Sequence, residues 1–190
     1  MDPRVARTRA SLQNALLDLA RERPLDAITV ADIAAEAAVN RSSFYQHYAD
    51  KDQLLADALE SAVDDVSSRI IRSADPRDIS QPPAELTTYL QHIADNADLY
   101  RLVLGEHGSL AVAAQLRTRV QGIVGDAVRE GAPSVFDGLP VDVVAASVTG
   151  SALGVITAWL ARDPLPSIET ATQWLWQALF GPSTAPRRER

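Results

Sequence analysis

Three histidines, His47, His92 and His107, and no cysteine make up the chain's stock of imidazole and thiol groups. No serine or threonine pairs with a histidine at a spacing that forms a nucleophile and base, and His92, Glu106 and His107 match no metal-ligand pattern. No catalytic residue, metal site or cofactor is therefore expected, and the enzyme class is set aside. The chain offers a short polar face instead. Between Asn40 and Tyr48, Phe44 and Tyr48 lie four apart and turn the same way, which leaves Arg41, Ser42, Ser43, Tyr45, Gln46 and His47 for the opposite side. Nearby stands Lys51, the one lysine among eighteen basic residues. It falls in the first turn of a helix, where the dipole disfavours a cation by a few tenths to about 1 kcal/mol. An anion such as a phosphate oxygen bound there would turn that cost into a gain.

These residues need helices to hold them, and the sequence supplies the signals. Thr29-Val30-Ala31-Asp32 has the form of a capping box, followed by Val30, Ile33, Ala34 and Ala37 at helical spacing. Asn40 caps a second helix a few residues later, so the two must cross steeply as a helix-turn-helix. Asp50 and Gln53 open a third, carrying Leu54, Leu55 and Leu59. Upstream, Leu12, Ala15, Leu16, Leu19 and Ala20 give one apolar stripe that ends at Pro24. Further breaks at Asp75-Pro76, Pro82-Pro83, Gly131-Ala132-Pro133, Gly138-Leu139-Pro140, Asp163-Pro164 and Gly181-Pro182 divide the rest. The expectation is an all-α chain of about nine helices.

The stretch VADIAAEAAVNRSSFYQHYADKDQLL resembles the DNA-binding signature of the TetR, or tetracycline-repressor-type, family of bacterial transcription regulators. The likeness spans about residues 5–60. It is carried in register by Thr29, Asp32-Ile33-Ala34, Val39-Asn40-Arg41, Tyr45, His47-Tyr48, Lys51 and Leu54. The resemblance implies that Thr29, Tyr45, His47 and Lys51 grip phosphates, while Arg41, Ser42, Ser43 and Gln46 approach base edges. Ala38 stands where the family often has glycine, so the turn is expected to avoid a positive φ. The resemblance further implies an N-terminal three-helix DNA-binding domain at 5–65 and a helical effector-binding and dimerisation domain at 66–181; the tail at 182–190, a low-complexity stretch that cannot bury apolar surface, is expected to be disordered. The resemblance also implies a small, apolar effector bound among the helices of residues 55–130. Tyr89, His92, Tyr100, Leu104 and His107 are the candidate lining groups, since such sites are apolar with a few polar handles.

Charge tempers the DNA expectation. The formal net charge is −7, and residues 1–52 hold seven basic and eight acidic residues, which argues against sequence-independent nucleic-acid binding. Arg4, Arg7 and Arg9 form a small basic arm. Val143 to Ala161 contains no charge, yet Ser147, Thr149, Ser151 and Thr157 dilute it, so a subunit interface is preferred over a membrane span. With Ile168–Phe180 it is expected to form a four-helix bundle around a two-fold axis, with Leu153, Ile156, Leu160, Trp174, Leu175 and Leu179 as the contact layer. The start of the chain has no apolar segment with a small-residue cleavage site, giving a cytoplasmic expectation. The reading is thus a homodimeric repressor on an inverted-repeat operator; the alternative is a helical adaptor that binds protein without DNA.

Overall fold

A computed structural model describes residues 3–73, 80–105, 108–131 and 136–181. The predicted tail at 182–190 lies outside them. Among the described residues there are nine α-helices and no strand, as the periodicity predicts. They are α1 (Pro3–Glu22), α2 (Val30–Glu36), α3 (Arg41–His47), α4 (Lys51–Ser73), α5 (Ala84–Asp95), α6 (Ala97–Leu104), α7 (Leu110–Gly131), α8 (Val141–Leu160) and α9 (Ile168–Phe180). A 3₁₀ turn at Leu25–Ala27 follows Pro24, which sequence periodicity does not reveal.

The chain forms two compact units. The first contains residues 1–65 and 92–119, so α6 and the first half of α7 join the N-terminal helices rather than the second unit. The reason lies in α6, which buries Leu99, Tyr100 and Val103 and packs against α1. The core of this unit is the predicted α1 stripe, Leu12, Ala15, Leu16 and Leu19, closed by Ile28, Ile33, Phe44, Leu54 and Leu59.

The second unit contains the described residues within 66–91 and 120–181. Its main pairing is α8 on α9. Ser167 caps α9 by accepting from the Thr170 amide at 3.3 Å, and Gly181, with φ 82°, ends it in a conformation glycine adopts without strain. Trp159 is fully enclosed and its indole N–H donates to the Pro166 carbonyl at 2.9 Å. The expected contact layer needs correction here. Ile156, Leu160 and Leu175 are between 2 and 6% exposed within one chain, which leaves them little surface to offer a second subunit. A helix apolar on all sides has two apolar faces, and the neighbour in the same chain has taken one. Leu153, Trp174 and Leu179 stay half-buried, with Arg162 stacked 4.7 Å over the Trp174 ring. The exposed residues of α8 are Asp142 in its first turn, then Val143, Ala146, Ser147, Gly150, Gly154, Thr157 and Ala158. By length and composition α8 could cross a membrane, with a mean hydropathy of 1.7 over its most apolar window.

Candidate nucleic-acid interface

Both helices of the predicted motif start on the expected caps. Thr29 Oγ1 accepts from the Asp32 amide at 3.2 Å, while the Asp32 carboxylate accepts from the Thr29 amide at 2.9 Å and from the Thr29 hydroxyl at 2.8 Å. Those bonds, first the backbone one, hold the Asp32 carboxyl below its ordinary pKa, and Arg23 at 3.3 Å adds to the effect. Asn40 Oδ1 accepts from the Ser43 amide at 2.9 Å and also from the hydroxyls of Ser42 at 2.6 Å and Ser43 at 2.9 Å.

The turn between α2 and α3 departs from expectation. Ala38 adopts φ 54°, in the left-handed region that the sequence reading expects an alanine to avoid. The helix end explains it. The Val39 amide donates to the Ala34 carbonyl at 2.9 Å and the Ala38 amide to Ala35 at 3.1 Å, which together close a Schellman motif. Satisfying two carbonyls in so short a turn outweighs the steric cost of a Cβ there, roughly 1 to 2 kcal/mol.

Phe44 is fully buried and Tyr48 is 3% exposed, whereas Arg41, Ser42, Tyr45 and Gln46 are exposed and Ser43 and His47 half-buried. The polar face is therefore presented outward as predicted. Arg41 and Tyr45 form one unit on it: the guanidinium sits 5.7 Å from the Tyr45 ring centre and donates to its hydroxyl at 3.4 Å. Ser42 and Ser43 have donated their protons to Asn40 and present lone pairs.

Lys51 sits differently from the sequence expectation of an open phosphate ligand. Its ammonium bends away from the start of α4 and donates to the carbonyls of Leu25 and Ile28, the latter at 2.8 Å. Two of three protons are thus committed to the turn that precedes α2. This resolves the unfavourable position in the first turn, because carbonyl oxygens replace the anion. At the same end of α4 the Gln53 amide donates to Asp50 at 2.8 Å and the Gln53 side chain accepts from the Ala49 amide at 2.7 Å.

Arg9, expected in a basic arm, also turns inward. It meets the Asp57 carboxylate, and its Nε lies 3.3 Å from both Tyr48 Oη and Asp57 Oδ2. Tyr48 Oη donates to Asp57 Oδ2, and Gln13 Nε2 donates to the same oxygen at 2.7 Å. Burial, then the bond to Asp57, pushes the Tyr48 hydroxyl up to about 12. The sequence reading missed this network. Its signal was a hydroxyl on the inward face of α3, which requires a buried partner, and an aspartate set within the apolar run Leu54 to Leu59.

The predicted effector groups are only partly assembled. His92 and Tyr100 meet edge to face, with ring centres 5.9 Å apart. Leu104 is half-buried on α6, Tyr89 belongs to the second unit, and His107 lies outside the described residues. Burial, then the charge of Arg21, lowers the His92 imidazole below its ordinary range. A cleft of about 390 Å³ opens elsewhere in the first unit, among Arg21, Arg23, Pro24, Leu25, Leu99 and Leu102. None of the four described candidates, Tyr89, His92, Tyr100 and Leu104, lines it.

Residues 13–58 match the family model described as bacterial regulatory proteins, tetR family. Over 86 residues the chain is 35% identical to an uncharacterized HTH-type transcriptional regulator, YxbF, of Bacillus subtilis (strain 168). That match covers 45% of this chain and 23% of the relative, so the chain spans about a quarter of the relative's length. A TetR transcriptional regulator from Rhodococcus sp. RHA1 superposes with a TM-score of 0.63 at 19% identity, covering 92% of this chain and 94% of that one. Thermus thermophilus FadR, a TetR-family transcriptional repressor in complex with lauroyl-CoA, does so with a TM-score of 0.59 at 17% identity, covering 91% and 94%. At these identities the structural likenesses establish the all-helical fold.

Proposed function

We propose that this chain, which belongs to the tetR family of bacterial regulatory proteins, is a cytoplasmic, homodimeric, DNA-binding transcriptional repressor released from its operator by a small molecule. One observation carries the reading. A seven-residue helix buries Phe44 on one side while Arg41, Ser42, Tyr45 and Gln46 stand exposed on the other, on a scaffold whose caps leave little freedom. Arg41 suits a guanine edge and Gln46 an adenine edge, each contributing about 1 to 3 kcal/mol of discrimination. Thr29, Tyr45 and His47 flank them as phosphate contacts, and Ser42 and Ser43 accept at base edges. Lys51 supports the turn bearing Thr29 and brings its remaining proton to the same surface.

One such helix reads too few bases for a unique site. Two related by a dyad read half-sites about 34 to 36 Å apart or a multiple of that. The outward face of α8 is the proposed dyad contact: Ala146, Gly150, Gly154 and Ala158 form a shallow, uncharged surface along which a second α8 can approach closely. An added Cβ at Gly150 or Gly154 would meet nothing within 4 Å in the single chain, so their small size answers no need inside it. Trp174 and Leu179 on α9 extend that surface.

Effector release is a shift between two states of the dimer. A ligand that prefers the state with misplaced reading helices by about 1 to 3 kcal/mol weakens operator binding 5- to 150-fold. The pair of half-buried His92 and buried Tyr100, with Leu104 one turn further along α6, is the proposed polar handle of an otherwise apolar site. Selecting bound fragments from random DNA tests the reading. Enrichment of an inverted repeat is expected, with one position relaxed in Arg41→Ala. Failure to enrich any sequence at low salt would refute DNA recognition and favour a protein-binding adaptor. Titration of the recovered operator complex with a panel that includes long-chain acyl-CoA thioesters tests release.

A further inference from the structure

A helix of seven residues is not stable alone, so the direction in which α3 points is set by what holds its two ends. Asn40 and the closing turn of α2 hold the first. The second has no glycine cap; the chain leaves through Tyr48 in extended conformation, φ −137° and ψ 135°. What fixes this end is the Tyr48 side chain, whose buried ring packs 5.8 Å from that of Phe44 and whose hydroxyl reaches beyond it to Asp57 on α4. The same carboxylate accepts Arg9 and Gln13 from α1, and Gln13 continues to Ser61 on α4 at 3.0 Å. Donors from α1 and from the end of α3 therefore converge on one acceptor in α4. The Asp57 side chain is only 18% exposed. A carboxylate accepts at every lone pair, whereas an amide of the same shape offers one accepting atom and adds a donor among donors.

We propose that Asp57 is a positioning residue for DNA recognition, locking the C-terminal end of α3 to α1 and α4 so that Arg41, Tyr45 and Gln46 are presented at one fixed rotation. The inference rests on the DNA-binding reading of α3 and adds to it the element that sets the angle. It also assigns Arg9, expected in the basic arm, to the lock. Base readout needs placement within about 0.5 Å and 10 to 20°, while phosphate attraction tolerates more. Loss of the lock therefore affects specific binding selectively.

The test compares wild type, Asp57→Asn, Tyr48→Phe and the double variant as full-length dimers. Each is titrated by fluorescence anisotropy against the selected operator and against a scrambled duplex of equal length and salt. Tyr48→Phe keeps the buried ring and removes only the hydroxyl, so it serves where Asp57→Asn fails to fold. Each single variant is expected to lose about tenfold in operator affinity. Scrambled-duplex affinity should stay unchanged, and the double variant should lose no more than the worse single. A folded variant that keeps wild-type operator affinity, or loses equally on both duplexes, overturns the positioning role while leaving DNA recognition intact. A wild-type chain that enriches no sequence overturns both.

Discussion

Replacing Gly150 and Gly154 with alanine should move two properties in opposite directions. Both positions are exposed within α8, and the added Cβ meets nothing within 4 Å in the single chain. Inside a helix each glycine-to-alanine change gains about 1 kcal/mol of intrinsic propensity, so the isolated subunit should become more stable by about 2 kcal/mol. Where two copies of α8 approach along this face, the same methyls are excess volume. Overpacking costs about 1 to 3 kcal/mol per site, and two-fold symmetry presents each site twice. The dimer should therefore weaken by about 4 kcal/mol or more, roughly a thousandfold in its dissociation constant. Sedimentation velocity over a dilution series measures the association. Thermal unfolding below the dissociation concentration measures the subunit. Lower dimer affinity with a higher subunit midpoint is the expected pair of results; unchanged or tighter association in the double variant would refute the placement of the dyad on this face.

Three further outcomes follow from local geometry. Ala38→Gly should stabilise the first unit by about 1 kcal/mol, because the residue sits at φ 54° and glycine adopts that conformation freely; a lower unfolding midpoint in denaturant would contradict the strain argument. Burial and Arg21 hold the His92 pKa below 6.5, with Asp95 opposing, so below pH 6.5 the unfolded chain takes up a proton that the folded chain resists. Stability is then intact above pH 6.5 and falls on acidification, by at most about 1.4 kcal/mol per pH unit, and His92→Gln should flatten the slope between pH 7 and 5; equal slopes in both proteins would refute it. Lys51→Met strips the donor from the carbonyls of Leu25 and Ile28 and should cost about 1 to 3 kcal/mol of stability, with the salt dependence of operator binding changed by less than one phosphate contact; the reverse pattern would restore Lys51 as mainly a phosphate ligand.

What the sequence made legible, and what it hid, divides along the range of the interactions. The caps at Thr29, Asn40 and Asp50 and the inward turn of Phe44 and Tyr48 are all set within four residues, and the structure follows them. So is the stripe of α1, whose partner is decided by elimination once every helix must hide one face. Lys51, Arg9 and Asp57 are a different case. Apart from Tyr48, nine positions before Asp57 at the end of a different helix, their partners lie 23 to 48 positions away in sequence, where no local spacing points. A charged side chain read in isolation is assigned to solvent or ligand, and only the fold discloses that a carbonyl or carboxylate stands within reach. The dyad face obeys the same rule in reverse. The apolar composition of α8 advertised an interface, but periodicity cannot state which side α9 has already covered, so the large residues Ile156, Leu160 and Leu175 drew the assignment. The face left open is the small one. A tight contact between two copies of a helix needs close approach of backbones more than bulk, so under the proposed dyad the residues least conspicuous in the sequence, Gly150 and Gly154, are the ones that let two copies of α8 approach closely.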